Sequence, residues 1–295
     1  MHRNLFFPRM MIVIILPLLT CFQLLAQQVK EPPVTDHEWT DAYEPFRVAG
    51  NLYYVGTYDL TSYLITTAKG HILINTGVAS SASQIEANIK KLGFRLKDVK
   101  ILLTNQVHHD HVGAMAELKK KTGAKLFVDA KDAAVLRDGG MTDYYFAGAS
   151  PVFRPVKPDR LLHDGDSVSL GGTSLLFLHH PGHTKGSCSF LVDLKDSART
   201  YRTLISNIPS IIIEKKFSEV TAYPGMKEDY AYTLDTMPKI SFDIWVAAHA
   251  SQFDLHEKRK PADRYNPMLF SDRETYLERL KKIREKYEKM VAEDK

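Results

Sequence analysis

The segment 104-TNQVHHDHVGA-114 packs three histidines and an aspartate into positions 108 to 111. Zinc prefers imidazole nitrogen and carboxylate oxygen, and a catalytic zinc keeps one coordination position open for water. Two more histidines stand in comparable settings. His183 lies in the turn 181-PGHTKGS-187 after the apolar run SLLFLHH, and His249 follows the run DIWVAA. The cluster itself follows KILLT. Loops at the ends of buried strands collect catalytic groups because a rigid sheet holds them in place. Three strand ends that each deliver a nitrogen therefore point to a metal centre, with His108, Asp110, His111, His183 and His249 as candidate ligands. His2, His37, His71, His163 and His256 lack such a setting and read as ordinary structural or exposed histidines. Gln106 stands two residues ahead of His108, where a further histidine would look natural.

The elements that must position these residues follow from residue type and period. The runs 52-LYYVGTY-58, 62-SYLITTA-68 and 71-HILINTG-77 are rich in β-branched and aromatic residues and are bounded by Gly or polar residues, as strands are. Ser80 to Leu92 carries Ile85, Ile89 and Leu92 at helical spacing and stops at Gly93. A strand over 100–104 runs into the histidine cluster. Beyond it the pattern predicts a helix over 113–122, a strand over 125–128, a helix over 130–137 and a long loop over 139–158. Strands are predicted over 167–170, 174–179, 187–193, 203–206 and 243–248, with a helix over 227–237. The last helix, 271–292, places Leu277, Leu280, Ile283, Tyr287 and Met290 on one stripe. Residues 27 to 45 are Pro-rich and polar and read as a leader. With no linker or short repeat, residues 27–295 are expected to form one α/β domain of strand-rich halves flanked by helices.

The chain has 295 residues, 44% of them hydrophobic and 25% charged, ordinary values for a folded soluble domain. The first residues combine Arg3 and Arg9, an apolar stretch from Met10 to Leu19 and a small residue at Ala26. This is the layout of a secretory signal peptide over residues 1–26, which makes the destination the periplasm. The apolar stretch is short for a membrane span and is broken by Pro17, so no stable membrane association is expected after cleavage at Ala26. A lipoprotein cut before Cys21 is the alternative, with Thr20 an awkward residue before it. The formal net charge is +4, and removal of Arg3 and Arg9 brings it near +2, too mild for a nucleic-acid partner. After cleavage Cys188 is the one remaining cysteine, which excludes an intramolecular disulfide and a thiolate zinc cluster. A monomer is the default expectation.

The cluster resembles the H-x-H-x-D-H signature of the metallo-β-lactamase fold. HILINTG and PGHT are similar to the turns that flank that signature, and the likeness spans nearly all of the mature chain. It is closer still to class B, subclass 3, and to the GOB-type enzymes, in which glutamine replaces the first signature histidine. The segments 48-VAGNLYYVGTYDL-60, 179-HHPGHTKGSCSF-190 and 249-HASQFDLHEKRK-260 carry this closer likeness. The resemblance implies an αββα sandwich. It also implies one or two zinc ions per chain, the first held by Gln106, His108 and His183 and the second by Asp110, His111 and His249. His109 falls at a variable position of the motif. The implied reaction is attack of a zinc-bound hydroxide on the β-lactam amide of penicillins, cephalosporins and carbapenems, giving antibiotic resistance, with Asp110 orienting the water. Ser210 is implied as a hydroxyl for the substrate carboxylate, and Ile208 stands where many relatives carry serine.

The same fold serves lactonases and glyoxalase II-like thioesterases, so fold alone leaves the reaction open. Those relatives commonly bridge two metals with an aspartate after the PGHT turn. Here 203-TLISNIPS-210 offers Asn207 and no acidic residue, which favours the lactamase. A hydrolase of lactones or thioesters is the alternative. A non-catalytic scaffold of this fold would show damaged ligands.

Overall fold

The computed structural model describes residues 28–294; the predicted signal peptide lies outside the described residues. Twelve strands form two sheets. The first holds β1 (Phe46–Ala49), β2 (Leu52–Tyr54), β3 (Tyr63–Thr67), β4 (Gly70–Ile74), β5 (Val99–Leu103), β6 (Lys125–Asp129) and β7 (Arg160–Leu162) in chain order. β1 to β4 are antiparallel neighbours, and β4 to β7 run parallel. The second has the order β12-β11-β10-β9-β8, built from β8 (Ser167–Leu170), β9 (Thr173–His179), β10 (Cys188–Lys195), β11 (Thr200–Ser206) and β12 (Ile244–Ala247). All of its pairs are antiparallel except β11 with β12.

Side chains alternate across a strand, and both faces of the first sheet are covered, so its strands read as continuous apolar runs. Ile72, Ile74, Ile101 and Leu103 face inward against Val168, Leu175, Phe177 and Phe190 of the second sheet. Leu64, Leu73 and Leu102 face outward with Val112, Leu118 and Leu136, under the helices α1 (Ser81–Lys91), α2 (His109–Val112), α3 (Met115–Thr122) and α4 (Ala133–Asp138). Outside the second sheet lie α5 (Met226–Thr236), α6 (Leu255–Lys258) and α7 (Arg273–Glu293). Two sheets with helices on both outer faces make the αββα sandwich.

Three details depart from expectation. Residues 109–112, expected as loop, form the short helix α2. β1 and β7 are additional strands. On α7 the buried stripe starts at Tyr276, fully buried, while Leu277 is 37% exposed. One residue turns a helix by about 100°, and Tyr276 is the position in step with Leu280, Ile283 and Tyr287. No helix among the described residues is long and apolar enough to cross a membrane.

Strand direction explains where the site lies. In the first sheet the parallel strands β4 to β6 finish on one edge, at Asn75, the histidine loop and Asp129. In the second sheet β9 runs antiparallel to β10 and so in the same sense as β11 and β12. These three finish at His179, Ser206 and Ala247, on the edge that meets the histidine loop.

Candidate active site

Asp110, His111 and His249 meet at one point, with one ligand atom from each lying within 4.8 Å of the others. Asp110 Oδ2 is 3.0 Å from His111 Nε2 and 3.3 Å from His249 Nε2. Neither ring nitrogen of buried His111 has a hydrogen-bond partner of acceptable geometry among the described residues. Two nitrogens and a carboxylate oxygen at this spacing, one of the imidazoles orphaned, form a donor set that fits a zinc ion. His249 is aimed by its other nitrogen: Nδ1 pairs with Asp59 Oδ2 at 2.8 Å, which turns Nε2 toward Asp110.

The second cluster contains Gln106, His108 and His183. The His108 and His183 rings lie 4.8 Å apart. His183 Nδ1 donates to the Ser210 carbonyl at 2.7 Å, which leaves Nε2 for a metal. Gln106 is different. Its Oε1 accepts the backbone N–H of His108 at 2.7 Å, and a backbone donor requires that this be the oxygen of the amide. Ser210 Oγ sits 3.2 Å from His183 Nδ1, and its carbonyl also accepts the Tyr230 hydroxyl at 2.9 Å. The six candidate ligands thus fall into two adjacent groups, with both Ser210 and Ile208 on the wall of the same cleft.

The open space of that cleft is about 210 Å³. Its apolar walls are Trp39, Tyr145, Phe146 and Ile212. Trp39 lies 6.0 Å from the ring of His109 and 5.9 Å from that of His249. His109 is buried between Trp39 and Phe146 and lies beside the donor groups.

The family model for the metallo-β-lactamase superfamily matches residues 56–197. The structure superposes on the metallo-β-lactamase GOB-18 from Elizabethkingia meningoseptica with a TM-score of 0.90 and 58% identity, covering 91% of this chain and 100% of that one. The class B3 di-zinc metallo-β-lactamase LRA-12 from an Alaskan soil metagenome gives 0.88 and 62%, over 89% and 99%. The chain belongs to the class B3 metallo-β-lactamases. Curated relatives match more locally. A probable metallo-hydrolase of Burkholderia pseudomallei is 32% identical over 42% of this chain, which spans only 40% of that relative's length.

In this B3 chain a web of hydrogen bonds fixes the loop that carries most of the donors. Asn75, at φ 61°, donates through Nδ2 to Asn105 Oδ1 at 2.9 Å and accepts the Asn105 backbone N–H at 2.9 Å. Asn105 in turn exchanges bonds with the backbone of Cys188 at the start of β10. Gly113 allows a close backbone approach: a Cβ there would lie 2.5 Å from the Ala79 nitrogen. Cys188 is a buried, free thiol. The turn bearing His183 hangs on Asp132, which accepts the Thr184 hydroxyl at 2.6 Å and the Gly186 N–H at 2.8 Å.

Charge in the B3 site follows from these contacts. Burial opposes charge on His249, but the carboxylates of Asp110 and Asp59 outweigh it and push the metal-free imidazole up to about 9. Burial would raise Asp110, yet His111 and His249 hold it well below the usual carboxylate range. Burial, with His108 nearby, lowers His183 to about 3, so it is neutral and ready to bind metal. Sequence reasoning missed Asp59, Asp132 and Asp143. A ligating histidine almost always has an outer partner, which says that such residues exist but not which ones they are.

Proposed function

We propose that this cleft hydrolyses the amide bond of β-lactams, with zinc held by Gln106, His108 and His183 in one site and by Asp110, His111 and His249 in the other. The convergence of Asp110, His111 and His249 within 4.8 Å in the cleft of a B3 chain carries this reading. Bound zinc supplies Lewis-acid polarisation of a carbonyl and brings the pKa of a coordinated water to about 7.

The chain's own residues supply the rest. The Asp110 carboxylate stays ionised and would accept a hydrogen bond from the attacking water, which sets the direction of attack. His183 and His111 stay neutral because they are buried and hold their lone pairs for metal. Asp59 fixes the tautomer of His249. Ser210 Oγ offers a hydroxyl for the substrate carboxylate, and Trp39, Tyr145 and Phe146 exclude water from the face of the ring. Ile208 brings no hydroxyl to the cleft, so no serine assists the water from that position. The working form is a soluble periplasmic monomer acting on small β-lactams, without a nucleic-acid partner.

The test is carbapenem and cephalosporin hydrolysis by the purified chain, followed by loss of ring absorbance, with and without a zinc chelator and with zinc measured on the same sample. Chelator-sensitive hydrolysis is the expected result. A folded, zinc-loaded sample that cleaves a lactone or thioester but neither β-lactam would overturn it.

A further inference from the structure

Outside the ligand set, the segment 143-DYYF-146 touches the first donor group at three points. Asp143 is buried, with Oδ2 lying 3.5 Å from His108 Nε2, a charge contact just beyond hydrogen-bond geometry. The Tyr144 hydroxyl donates to the His183 carbonyl at 2.8 Å. The Phe146 ring stands edge-on to His108, with centroids 5.1 Å apart. The other oxygen of Asp143, Oδ1, accepts the backbone N–H groups of Tyr145 and Phe146, both at 2.8 Å. One carboxylate therefore faces a candidate ligand on one side and holds the aromatic wall of the cleft on the other.

This matters because the first donor group is weakly provided for. Gln106 is a neutral amide whose oxygen already accepts the His108 N–H. His183 is backed by a neutral carbonyl, that of Ser210. His108 is the member backed by a carboxylate. A carboxylate facing one ring nitrogen favours the tautomer with its proton there, which leaves the lone pair on the other nitrogen.

We propose that Asp143 is a positioning residue for the first metal site: it keeps the proton of His108 on Nε2, so that Nδ1 carries the lone pair for metal, and it ties that histidine to the wall formed by Tyr145 and Phe146. The inference rests on reading Gln106, His108 and His183 as a metal site.

Asp143→Asn tests it. The amide oxygen can still accept the two backbone N–H groups, while its NH₂ would face Nε2 and drive the His108 proton onto Nδ1. Zinc titrations of the metal-free protein against a competing chelator are compared for the wild type, Asp143→Asn and His108→Ala. First-site affinity about 10- to 100-fold weaker in Asp143→Asn, with the Asp110 site unchanged, is the expected result. Hydrogen exchange at the Tyr145 and Phe146 amides is expected to be slow in Asp143→Asn and fast in Asp143→Ala. A folded Asp143→Asn with wild-type affinity at the first site overturns the proposal and leaves the two-site reading standing. A wild type with the same zinc stoichiometry and affinities as His108→Ala overturns both. A second measurement needs no variant: the ring ¹⁵N spectrum of zinc-loaded wild type should place the His108 proton on Nε2, and a proton on Nδ1 overturns the proposal.

Discussion

The carboxylate of Asp59 lies 2.8 Å from Nδ1 of His249, although 190 residues separate them. Asp59 also accepts the Ser251 N–H at 2.9 Å, and an isolated β-bridge joins Leu60 to His249. The contact therefore locks the last candidate ligand to the turn that follows β2. Asp59→Ala is expected to weaken the Asp110–His111–His249 zinc site by about 10- to 100-fold, because the ring loses both its fixed tautomer and its aim. Zinc titration against a chelator measures this directly. Unchanged affinity in a folded variant would show that Asp59 serves only the turn.

Gln106 leads to a second prediction. A neutral amide oxygen is a poorer zinc donor than imidazole, and this one already accepts the His108 N–H at 2.7 Å. The first site should fill after the Asp110 site. Hydrolysis is expected to plateau at one zinc per chain, and Gln106→His should raise first-site affinity by at least about tenfold, the scale of a single ligand-environment change. Titrating zinc into the metal-free protein while following hydrolysis decides the point. A plateau reached only at two equivalents would sink the single-site idea.

The candidate donor residues stand out in the sequence because they follow apolar runs that could only be buried strands, and because Gln106, His108, Asp110 and His111 put members of both groups on one loop. The residues that aim them do not. Asp132 and Thr184 are 52 residues apart and meet only once both sheets are assembled. Asp143 lies in a stretch with no period, read from sequence only as loop. β1 and β7, of four and three residues, were not predicted either. Leu277 was misplaced because a stripe read from spacing alone can slip by one residue, and the packing of Tyr276 against Phe242 and Trp245 sets the true phase of α7.

Gly113 bears on stability. It sits where the histidine loop crosses the chain after β4, and its N–H bonds to the Gly77 carbonyl at 2.8 Å. A methyl group here would meet the Ala79 nitrogen at 2.5 Å and the Val78 carbonyl carbon at 2.6 Å, both rigid backbone atoms. Gly113→Ala should cost about 1–3 kcal/mol or more, as overpacking does, and should displace Asp110 and His111. Urea unfolding of the metal-free protein together with zinc stoichiometry reads both effects. Wild-type values for both would mean that the loop and the turn can separate without loss.

Asp132 predicts a pH dependence. Burial, helped by the nearby Asp129 carboxylate and only partly offset by Thr184 and Gly186, raises its carboxyl to about 7. An unfolded aspartate loses its proton near pH 4. Between these values the native state holds a proton that the unfolded state has released, so this group's contribution to stability falls as pH rises. It is most favourable below about pH 4 and reaches its full cost above about 7. Asp132→Asn keeps an acceptor for the Gly186 N–H and stays neutral at every pH. Its stability relative to wild type should therefore improve by roughly 3 kcal/mol between pH 5 and pH 8, two units of linkage at 1.36 kcal/mol each. The measurement is urea unfolding of both zinc-free proteins at the two pH values. A stability difference that does not change with pH would mean that Asp132 is ionised in the folded protein throughout, with the turn that bears His183 built around a charged carboxylate.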